Sequence, residues 1–374
     1  MDLASSTGLP VLVLETENAA PVVSKEDWVP GAYTLYAEGA SQVQFQGELS
    51  IKGRGNSTWK YDKKPYTIKL GKGAPLLGMN KHKRWVLLAN YMDRSLLRNR
   101  IAFELGKRTS LAWTPDSRYV EVILNGRFLG CYLLCEQVKV DENRVHIDEK
   151  EGFLLEVDKY FDEPNQFLSS ALSLPVMIKE PDENDLAPAQ FEAIQTYFNK
   201  VEQMLIDGKY AEVYDSYLDL TSFVDWWLLL EITGNAEAAR MNNIYMYKDK
   251  GGKLTIGPIW DFDINTFYPN VLYTLTKTIW YPYLLKDPIF KQKPIERWTV
   301  LKEAFSTIYS FIDQEAALIK KSEKLDNRTW RKPIFLICNG DEYLSFAQSV
   351  DWLKRNILMR IEWMNMQAER RFER

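Results

Sequence analysis

The sequence predicts an α+β protein of two lobes, with a β-rich N-terminal lobe and a mostly helical C-terminal lobe. Short apolar runs that alternate with polar residues, separated by turn residues, dominate the chain up to residue 138. Long segments with apolar residues at helical spacing dominate it from residue 187 onward. We therefore divide the chain into residues 1–138, a β-rich lobe with one helix, and residues 139–374, a helical lobe.

The first lobe is predicted from six strand-like runs and one helix. The runs lie at residues 9–17, 33–39, 43–53, 63–70, 118–125 and 128–138. Asn125 and Gly126 separate the last two runs, and Asn-Gly is a strong hairpin signal. The helix is predicted over residues 94–108, with Asp93 as its N-cap and an apolar face at helical spacing.

The second lobe is predicted from four strands and four long helical segments. The strands lie at residues 152–160, 173–181, 243–249 and 254–260, the last two forming a hairpin that turns at Gly251 and Gly252. The helical segments lie at residues 189–205, 220–235, 295–325 and 344–374.

Composition excludes several classes of protein. The chain has 374 residues, of which 46% are apolar and 26% charged, as expected of a globular protein with a large core. The net charge is -4 and no Lys/Arg-rich run dominates a segment, so we expect no nucleic-acid partner. No apolar run is long enough for a transmembrane segment.

The cysteines and histidines predict neither a disulfide framework nor a histidine-based site. Cys131 and Cys135 lie four residues apart in one strand, roughly 13 Å, which is too far for a disulfide. With Cys338 the chain has three cysteines, and this odd number does not indicate whether the protein works in an oxidising or a reducing compartment. His82 and His146 are far apart in sequence and in polar surroundings, which argues against a histidine metal site or a Ser–His triad.

The strongest chemical signal is a set of acids and amides around the predicted hairpin. Glu237 precedes Asn242 by five residues, and Asp261 and Asp263 follow the second hairpin strand in the sequence WDFD. Phosphoryl transfer needs a carboxylate near the attacking hydroxyl, and an amide and an aspartate that hold Mg2+ on the nucleotide phosphates. Protein kinases show the same acid-to-amide spacing and an aspartate followed by phenylalanine. The competing interpretation of the acidic pair is a solvated turn.

Several blocks together resemble the CotH kinase family, atypical protein kinases first associated with bacterial spore coats. These blocks are residues 51–59 (IKGRGNSTW), 63–70 (KKPYTIKL), 90–98 (NYMDRSLLR), 130–136 (GCYLLCE) and 259–263 (IWDFD). The resemblance implies a degenerate two-lobed protein-kinase-like fold. It also implies transfer from ATP, with Mg2+, to a side chain of a protein substrate. The family suggests a bacterial origin.

The resemblance assigns roles to the acids and amides near the hairpin. Asp261 resembles the metal-binding aspartate, with Asp263 as a second ligand. Asn242 resembles the amide that helps to hold the metal, and its neighbour Asn243 could substitute for it. Glu237 lies where the family's catalytic aspartate is expected, and its extra methylene would shift the base by roughly 1 Å. A misplacement of that size can cost about a hundredfold in rate.

Four residues of the first lobe are candidates for nucleotide contacts. Arg54 and its glycine-flanked loop could cradle phosphates, although a plain hairpin turn would look the same. Lys64 and Lys69 compete for the phosphate-pairing lysine, and the Lys-Lys-Pro-Tyr block favours Lys64. Their odd spacing would place them on opposite faces of a strand. Glu136 could bond the ribose or base of the nucleotide, or simply end its strand.

Two functions of different classes follow. One is an ATP- and Mg2+-dependent atypical protein kinase that phosphorylates Ser or Thr of a secreted or surface protein. The alternative is a catalytically impaired pseudokinase or surface binding module, which the glutamate at position 237 favours. Another nucleotide-dependent transfer, such as AMP addition, has the same sequence signature. The N-terminal residues read as a Met placed on a trimmed chain, as expected of a secreted or lipid-anchored bacterial protein whose leader was removed.

Overall fold

The computed structural model describes residues 6–37, 42–269, 272–330 and 339–371. Within it the chain forms two compact units, each built from three separate stretches. The first unit comprises Met1–Arg100, Pro115–Gln137 and Ser310–Asp351, and the second comprises Ile101–Thr114, Val138–Tyr309 and Trp352–Arg374. The division after residue 138 rests on the type of element along the chain and stays a prediction.

The first unit is built around a closed barrel of seven strands in the order β1-β2-β3-β4-β5-β7-β6. The strands are β1 (Val11–Thr16), β2 (Val29–Tyr36), β3 (Val43–Gly53), β4 (Tyr66–Ala74), β5 (His82–Leu88), β6 (Ser117–Leu124) and β7 (Arg127–Glu136). Parallel pairing of β1 with β6, from Val11 opposite Glu121 to Leu14 opposite Leu124, closes the barrel. The other neighbouring strands are antiparallel.

Alternation along the strands fills the barrel with apolar side chains. Leu12, Leu35, Ile51 and Ile68 are completely buried. Each such side chain contributes roughly 1.5–3 kcal/mol relative to an exposed position. The predicted turn between β6 and β7 is confirmed, because Asn125 and the following glycine both have the positive φ that this tight hairpin turn requires.

The prediction of a degenerate two-lobed kinase-like fold is wrong, although the broader α+β class is consistent with the structure. The N-terminal strands do not form an open sheet with a helix behind it. They close into a barrel because β1 pairs with a strand more than a hundred residues away in the chain. The pairing register of distant strands is not visible in a local apolar pattern.

The helix α1 (Arg98–Lys107) begins later than predicted. Asp93 still satisfies its first turn, because its Oδ2 accepts the Arg98 backbone N–H at 2.8 Å. The Arg98 guanidinium hydrogen-bonds Asp93 in return and also Asp341, at 2.9 Å, with all three side chains fully buried. The Asp93–Arg98 pair is therefore a structural anchor in the first unit.

The second unit carries an antiparallel sheet in the order β12-β11-β8-β10-β9. Its strands are β8 (Phe153–Val157), β9 (Gln166–Leu168), β10 (Pro175–Glu180), β11 (Ile244–Lys248) and β12 (Leu254–Ile256). The remaining helices follow in the chain. They are α2 (Pro188–Ile206), α3 (Tyr210–Ser216), α4 (Leu220–Thr233), α5 (Ala236–Ala239), α6 (Tyr281–Leu284), α7 (Pro288–Ser306), α8 (Ile308–Thr329) and α9 (Phe346–Glu369). Of these, α8 lies almost wholly in the first unit, and α9 begins in the first unit and continues into the second.

Local signals set the ends of these helices. Asp219 caps α4 by accepting the Thr221 N–H, and Gly234 ends it in the left-handed conformation, φ 56°. The segment predicted as one helix over residues 295–325 is two helices, α7 and α8, interrupted at Thr307. No helix in the described ranges combines the length and apolar character needed to span a membrane.

The cysteine prediction is confirmed for the residues that the structure describes. Cys131 and Cys135 are both buried on β7, and neither forms a disulfide. Cys338 lies outside the described residues.

Candidate functional site

The loop after α4 is shaped by a second capping residue. Asn235 follows the terminating glycine, and its Oδ1 accepts the Ala238 N–H at 2.8 Å, which starts the single turn of α5. Its Nδ2 donates to the Asp261 carbonyl at 3.4 Å. One asparagine thus fixes the turn that carries Glu237 and links it to the segment that carries Asp261.

Glu237 is held by two asparagine side chains. Its Oε2 accepts Asn242 Nδ2 at 2.8 Å, and its Oε1 accepts Asn265 Nδ2 at 2.6 Å. Arg240 approaches Oε1 at 3.4 Å, and the Glu237 side chain is 16% exposed. The acid and the amide five residues later, which the sequence singled out by their spacing, are thus joined by a direct hydrogen bond.

Asn242 is the most distinctive residue of the site. Its side chain is 2% exposed, and within the described part of the chain its Oδ1 accepts no hydrogen bond. A buried acceptor without a partner costs about 1–3 kcal/mol. In native structures such atoms usually meet an ordered water or an ion, or belong to a functional site. The orphan oxygen lies next to Glu237, because the same amide group donates to that carboxylate.

Asn243 connects this amide to Asp261. Its Nδ2 donates to Asp261 Oδ2 at 3.3 Å, and its backbone N–H donates to Asp158 Oδ2 at 3.0 Å. Contacts therefore run without a break from Glu237 through Asn242 and Asn243 to Asp261. Asp263, two residues further on, is 7% exposed. We call the five residues Glu237, Asn242, Asn243, Asp261 and Asp263 the amide–acid cluster.

Two members of the cluster, Asn243 and Asp261, and two residues close to it in the chain, Met241 and Asn265, have left-handed backbone conformations. Met241, Asn243, Asp261 and Asn265 have φ of 61°, 55°, 64° and 53°. Residues other than glycine adopt this conformation at a cost of order 1–3 kcal/mol each. Such strain is most common at sites where side chains must be held in a particular direction.

The donor atoms of the amide–acid cluster fit a magnesium ion bound mainly through its nucleotide. Among the described residues no three His, Cys, Asp or Glu side chains form a metal-binding group. Mg2+ needs only one or two protein carboxylates, because water and phosphate oxygens complete its shell. Asp261, Asp263 and the orphan oxygen of Asn242 are hard oxygen donors of the required kind.

A tyrosine lies at the exposed edge of the cluster. Tyr160 is 47% exposed. Burial raises the pKa of its hydroxyl, and the carboxylates of Glu237, Asp158 and Asp261 raise it further. Burial also raises the pKa of Asp158, against the backbone hydrogen bonds that favour its ionised form. The site is therefore rich in negative charge, which a divalent cation would offset.

The four nucleotide candidates of the first lobe lie in the first unit. Arg54 is half-buried, and its backbone N–H donates to the Pro65 carbonyl at 3.3 Å. Lys64 Nζ donates to the Trp59 carbonyl at 2.7 Å and lies 5.3 Å from the Trp59 ring centroid. Lys69 is exposed in the middle of β4. Their roles in binding a nucleotide stay predictions.

Glu136 shows the contacts of a structural residue. It is 1% exposed, and its Oε2 accepts the Asp116 backbone N–H at 2.9 Å. Its own N–H donates to the Asp116 carbonyl at 3.0 Å. Glu136 therefore ties the end of β7 to the start of β6, and its role in binding a ribose or base stays a prediction.

Sequence reasoning missed two charged residues, Lys63 and Asp158. Lys63 is fully buried and pairs with Asp326 at 2.6 Å. From the sequence, only Lys64 and Lys69 were considered as the functional lysine of this segment. The partner of Lys63 comes 263 residues later, so no local pattern could reveal the pair. Asp158 follows β8 and resembles an ordinary turn residue in sequence. The available signal was a carboxylate directly after a short, mostly apolar strand.

Comparison with known proteins supports the family resemblance that the five sequence blocks carry. None of the curated proteins compared with this chain matches it. A family model described as CotH kinase protein matches residues 51–364, which include all five sequence blocks and the amide–acid cluster. This chain belongs to the CotH kinase protein family.

Proposed function

We propose that the protein transfers the γ-phosphoryl group of ATP, with Mg2+, to a Ser or Thr hydroxyl of a secreted or surface protein. The observation that carries this proposal is the buried Oδ1 of Asn242, which has no partner in the described chain and lies beside Glu237. An acceptor oxygen that is buried without a donor is suited to a cation. Membership of the CotH kinase protein family supports the same chemistry.

The roles of the residues follow from their chemistry. Asn242, Asp261 and Asp263 would hold the metal through oxygen atoms. A magnesium ion bound to the nucleotide supplies neutralisation of the charge that develops on the phosphate oxygens. Glu237 would orient the acceptor hydroxyl and take its proton, at a side chain that is partly open to solvent. Arg54, Lys64, Lys69 and Glu136 remain candidates for contacts to the nucleotide.

A specific observation favours a second candidate, a binding module that does not transfer phosphate. Both carboxylate oxygens of Glu237 already accept hydrogen bonds from asparagine amides. A carboxylate satisfied in this way also suits a purely structural brace of the loop. The two candidates differ in whether phosphate is transferred once the nucleotide is bound.

Thermal unfolding with ATP, in the presence and absence of Mg2+, tests the proposal first. A ligand that binds only the folded state raises the melting temperature in proportion to its occupancy. We expect stabilisation by ATP that requires Mg2+ and is lost in Asp261→Ala. Asp215→Ala, an exposed aspartate of the second unit, is the matched control and should respond like the wild type. No Mg2+-dependent shift at millimolar ATP would rule the proposal out.

Isotope transfer then identifies the reaction. Label from γ-labelled ATP, but not from α-labelled ATP, should enter the protein itself or dephosphorylated casein used as a general acceptor. Transfer of the α-label would indicate AMP addition instead. Mg2+-dependent ATP binding without transfer of either label would favour the binding module.

A further inference from the structure

The turn after strand β8 is attached to the loop that carries the amide–acid cluster. Lys159 N–H donates to the Met241 carbonyl at 3.0 Å, which continues the pairing of β8 with β11 toward the cluster. The preceding residue, Asp158, is 5% exposed. This carboxylate is not among the groups proposed to hold the metal or to accept the proton.

The Asp158 carboxylate joins two backbone segments. Its Oδ1 accepts the Tyr160 N–H at 2.8 Å, and its Oδ2 accepts the Asn243 N–H at 3.0 Å. The first bond closes the local turn, which the Phe161 N–H also supports by donating to the Asp158 carbonyl at 3.2 Å. The second bond reaches across 85 residues of sequence and has no part in forming that turn.

The bond to Asn243 is made at a strained position. Asn243 has φ 55°, and Met241 has φ 61°. Asparagine tolerates the left-handed conformation better than most residues, but it still needs support from its surroundings. With the backbone held in this way, Asn243 Nδ2 reaches Asp261 Oδ2 at 3.3 Å, and the preceding residue keeps its amide against Glu237.

We propose that Asp158 is a positioning residue for metal binding by Asn242 and Asp261. Its carboxylate fixes the left-handed turn at Asn243, and this turn sets the directions of the Asn242 amide and of the contact to Asp261. The inference rests on the proposed function, because it assigns Asp158 a part in holding the Mg2+ that ATP transfer requires. Residues behind metal ligands commonly change metal affinity 10- to 100-fold when they are replaced.

A neighbouring carboxylate provides a matched control. Glu156 lies two residues earlier on β8, so it is on the same face of the strand, and it is 6% exposed. It pairs with Lys179 at 3.3 Å rather than with the loop of the cluster. Replacing either carboxyl group by its amide removes one buried acid from β8 or the residue that follows it. Of the two, only Asp158 is bonded to Asn243.

Two measurements on Asp158→Ala, Asp158→Asn and Glu156→Gln test the inference. The first is hydrogen exchange of the Asn243 amide, which needs no ligand. We expect faster exchange at Asn243 in Asp158→Ala, a smaller change in Asp158→Asn, and none in Glu156→Gln. The asparagine variant keeps one acceptor oxygen. The same measurement can therefore be made on it if the alanine variant does not fold.

The second measurement is the Mg2+ concentration that gives half of the ATP-induced thermal stabilisation. We expect this midpoint to rise about tenfold in Asp158→Ala and to stay within twofold of the wild type in Glu156→Gln. A glycine at position 243 takes the left-handed conformation without strain. In the Asn243→Gly background, Asp158→Ala should therefore raise the midpoint by much less than tenfold.

The outcomes separate this inference from the proposed function. A wild-type protein without any Mg2+-dependent response to ATP would overturn both. A normal wild-type response, with the same Mg2+ midpoint in Asp158→Ala and Asp158→Asn, would overturn the inference alone. Equal increases in the Asp158 variants and in Glu156→Gln would also overturn it, because they would show a general effect of charge or stability.

Discussion

At the scale of single residues, the spacing of acid and amide carried real information. Glu237 and Asn242 are five residues apart, and the structure joins them by a hydrogen bond of 2.8 Å. The sequence shows only the spacing, and the contact arises because a single short helical turn lies between the two residues. It could not predict that Asn265 would hold the other carboxylate oxygen, since that residue comes after the hairpin.

The proposed role of Glu237 as a proton acceptor predicts a selective defect in Glu237→Gln. The glutamine keeps the shape of the side chain. Its oxygen can still accept the Asn242 amide N–H, and its NH2 group can donate to Asn265 once that amide turns to present its oxygen. The glutamine cannot accept a proton, so the rate of phosphoryl transfer should fall about 100-fold or more. The Mg2+-dependent stabilisation by ATP should change little. Rates are measured by incorporation of γ-label, with the exposed Glu192→Gln as control.

An unchanged transfer rate in Glu237→Gln would show that this carboxylate is only a brace for the loop. Loss of ATP binding together with transfer would point to the same conclusion. In either case the glutamate would not be the group that accepts the proton.

At the scale of elements, helix α8 is joined to the barrel by a buried ion pair. Lys63 Nζ lies 2.6 Å from Asp326 Oδ1 and 2.6 Å from the Cys131 carbonyl. The same Asp326 oxygen accepts the Cys131 N–H at 3.1 Å. Gly130 makes room for it, because a Cβ there would lie 2.3 Å from that oxygen. Lys63 thus holds a helix rather than a phosphate.

Asp326→Ala should be strongly destabilising because it leaves the Lys63 ammonium buried without a counter-charge. Removing one partner of a buried pair costs about 3–5 kcal/mol. Lys64→Met, one residue away and only half-buried, should cost less than about 1 kcal/mol. The double variant Lys63→Met with Asp326→Leu should recover most of the loss, since an apolar pair removes both charges. Urea denaturation measures the three changes, and equal effects at Asp326 and Lys64 would contradict the assignment.

A second buried carboxyl in the barrel predicts a pH dependence. Glu121 on β6 is fully buried near Ser322, Asp326, Lys63 and Thr7, and burial raises the pKa of its carboxyl. The folded protein therefore keeps this proton at pH values where the unfolded chain has lost it. Stability must fall as pH rises from the usual glutamate pKa, about 4.3, through the raised value.

Glu121→Gln should remove this penalty, because the amide cannot ionise. We expect the variant to melt at a higher temperature than the wild type at pH 7, and the difference to shrink as pH falls below about 4. Melting curves between pH 4 and pH 8 measure the difference. A wild type that is more stable than the variant at pH 7 would show that the ionised carboxylate is stabilised by its neighbours.

Element types were predicted better than element boundaries. The hairpin of β11 and β12 and the helix α4 were readable because their apolar patterns and terminal glycines are local. Strand β5 was not predicted, since its first residues are His82, Lys83 and Arg84, which obscure the apolar alternation. The break at Thr307 was also missed, because both flanking helices continue the same apolar spacing.

At the scale of the whole molecule, local patterns identified the α+β class but not the architecture. Barrel closure depends on four residues of β1 pairing with β6, a register that no local motif specifies. The order of strands and helices suggested two kinase-like lobes, yet the same order is compatible with a closed barrel and a separate sheet. The family assignment survived this error because it rests on short blocks rather than on topology.

The central claim is that Asn242 and Asp261 serve one Mg2+–nucleotide site, and a double-mutant cycle tests it most directly. The measured quantity is the Mg2+-dependent thermal stabilisation by ATP in the wild type, Asn242→Ala, Asp261→Ala and the double variant. If both residues hold the same ion, either substitution removes most of the stabilisation. The double variant should then lose no more of it than the single variant with the larger loss. A full response in either single variant, or losses that simply add, would contradict the claim.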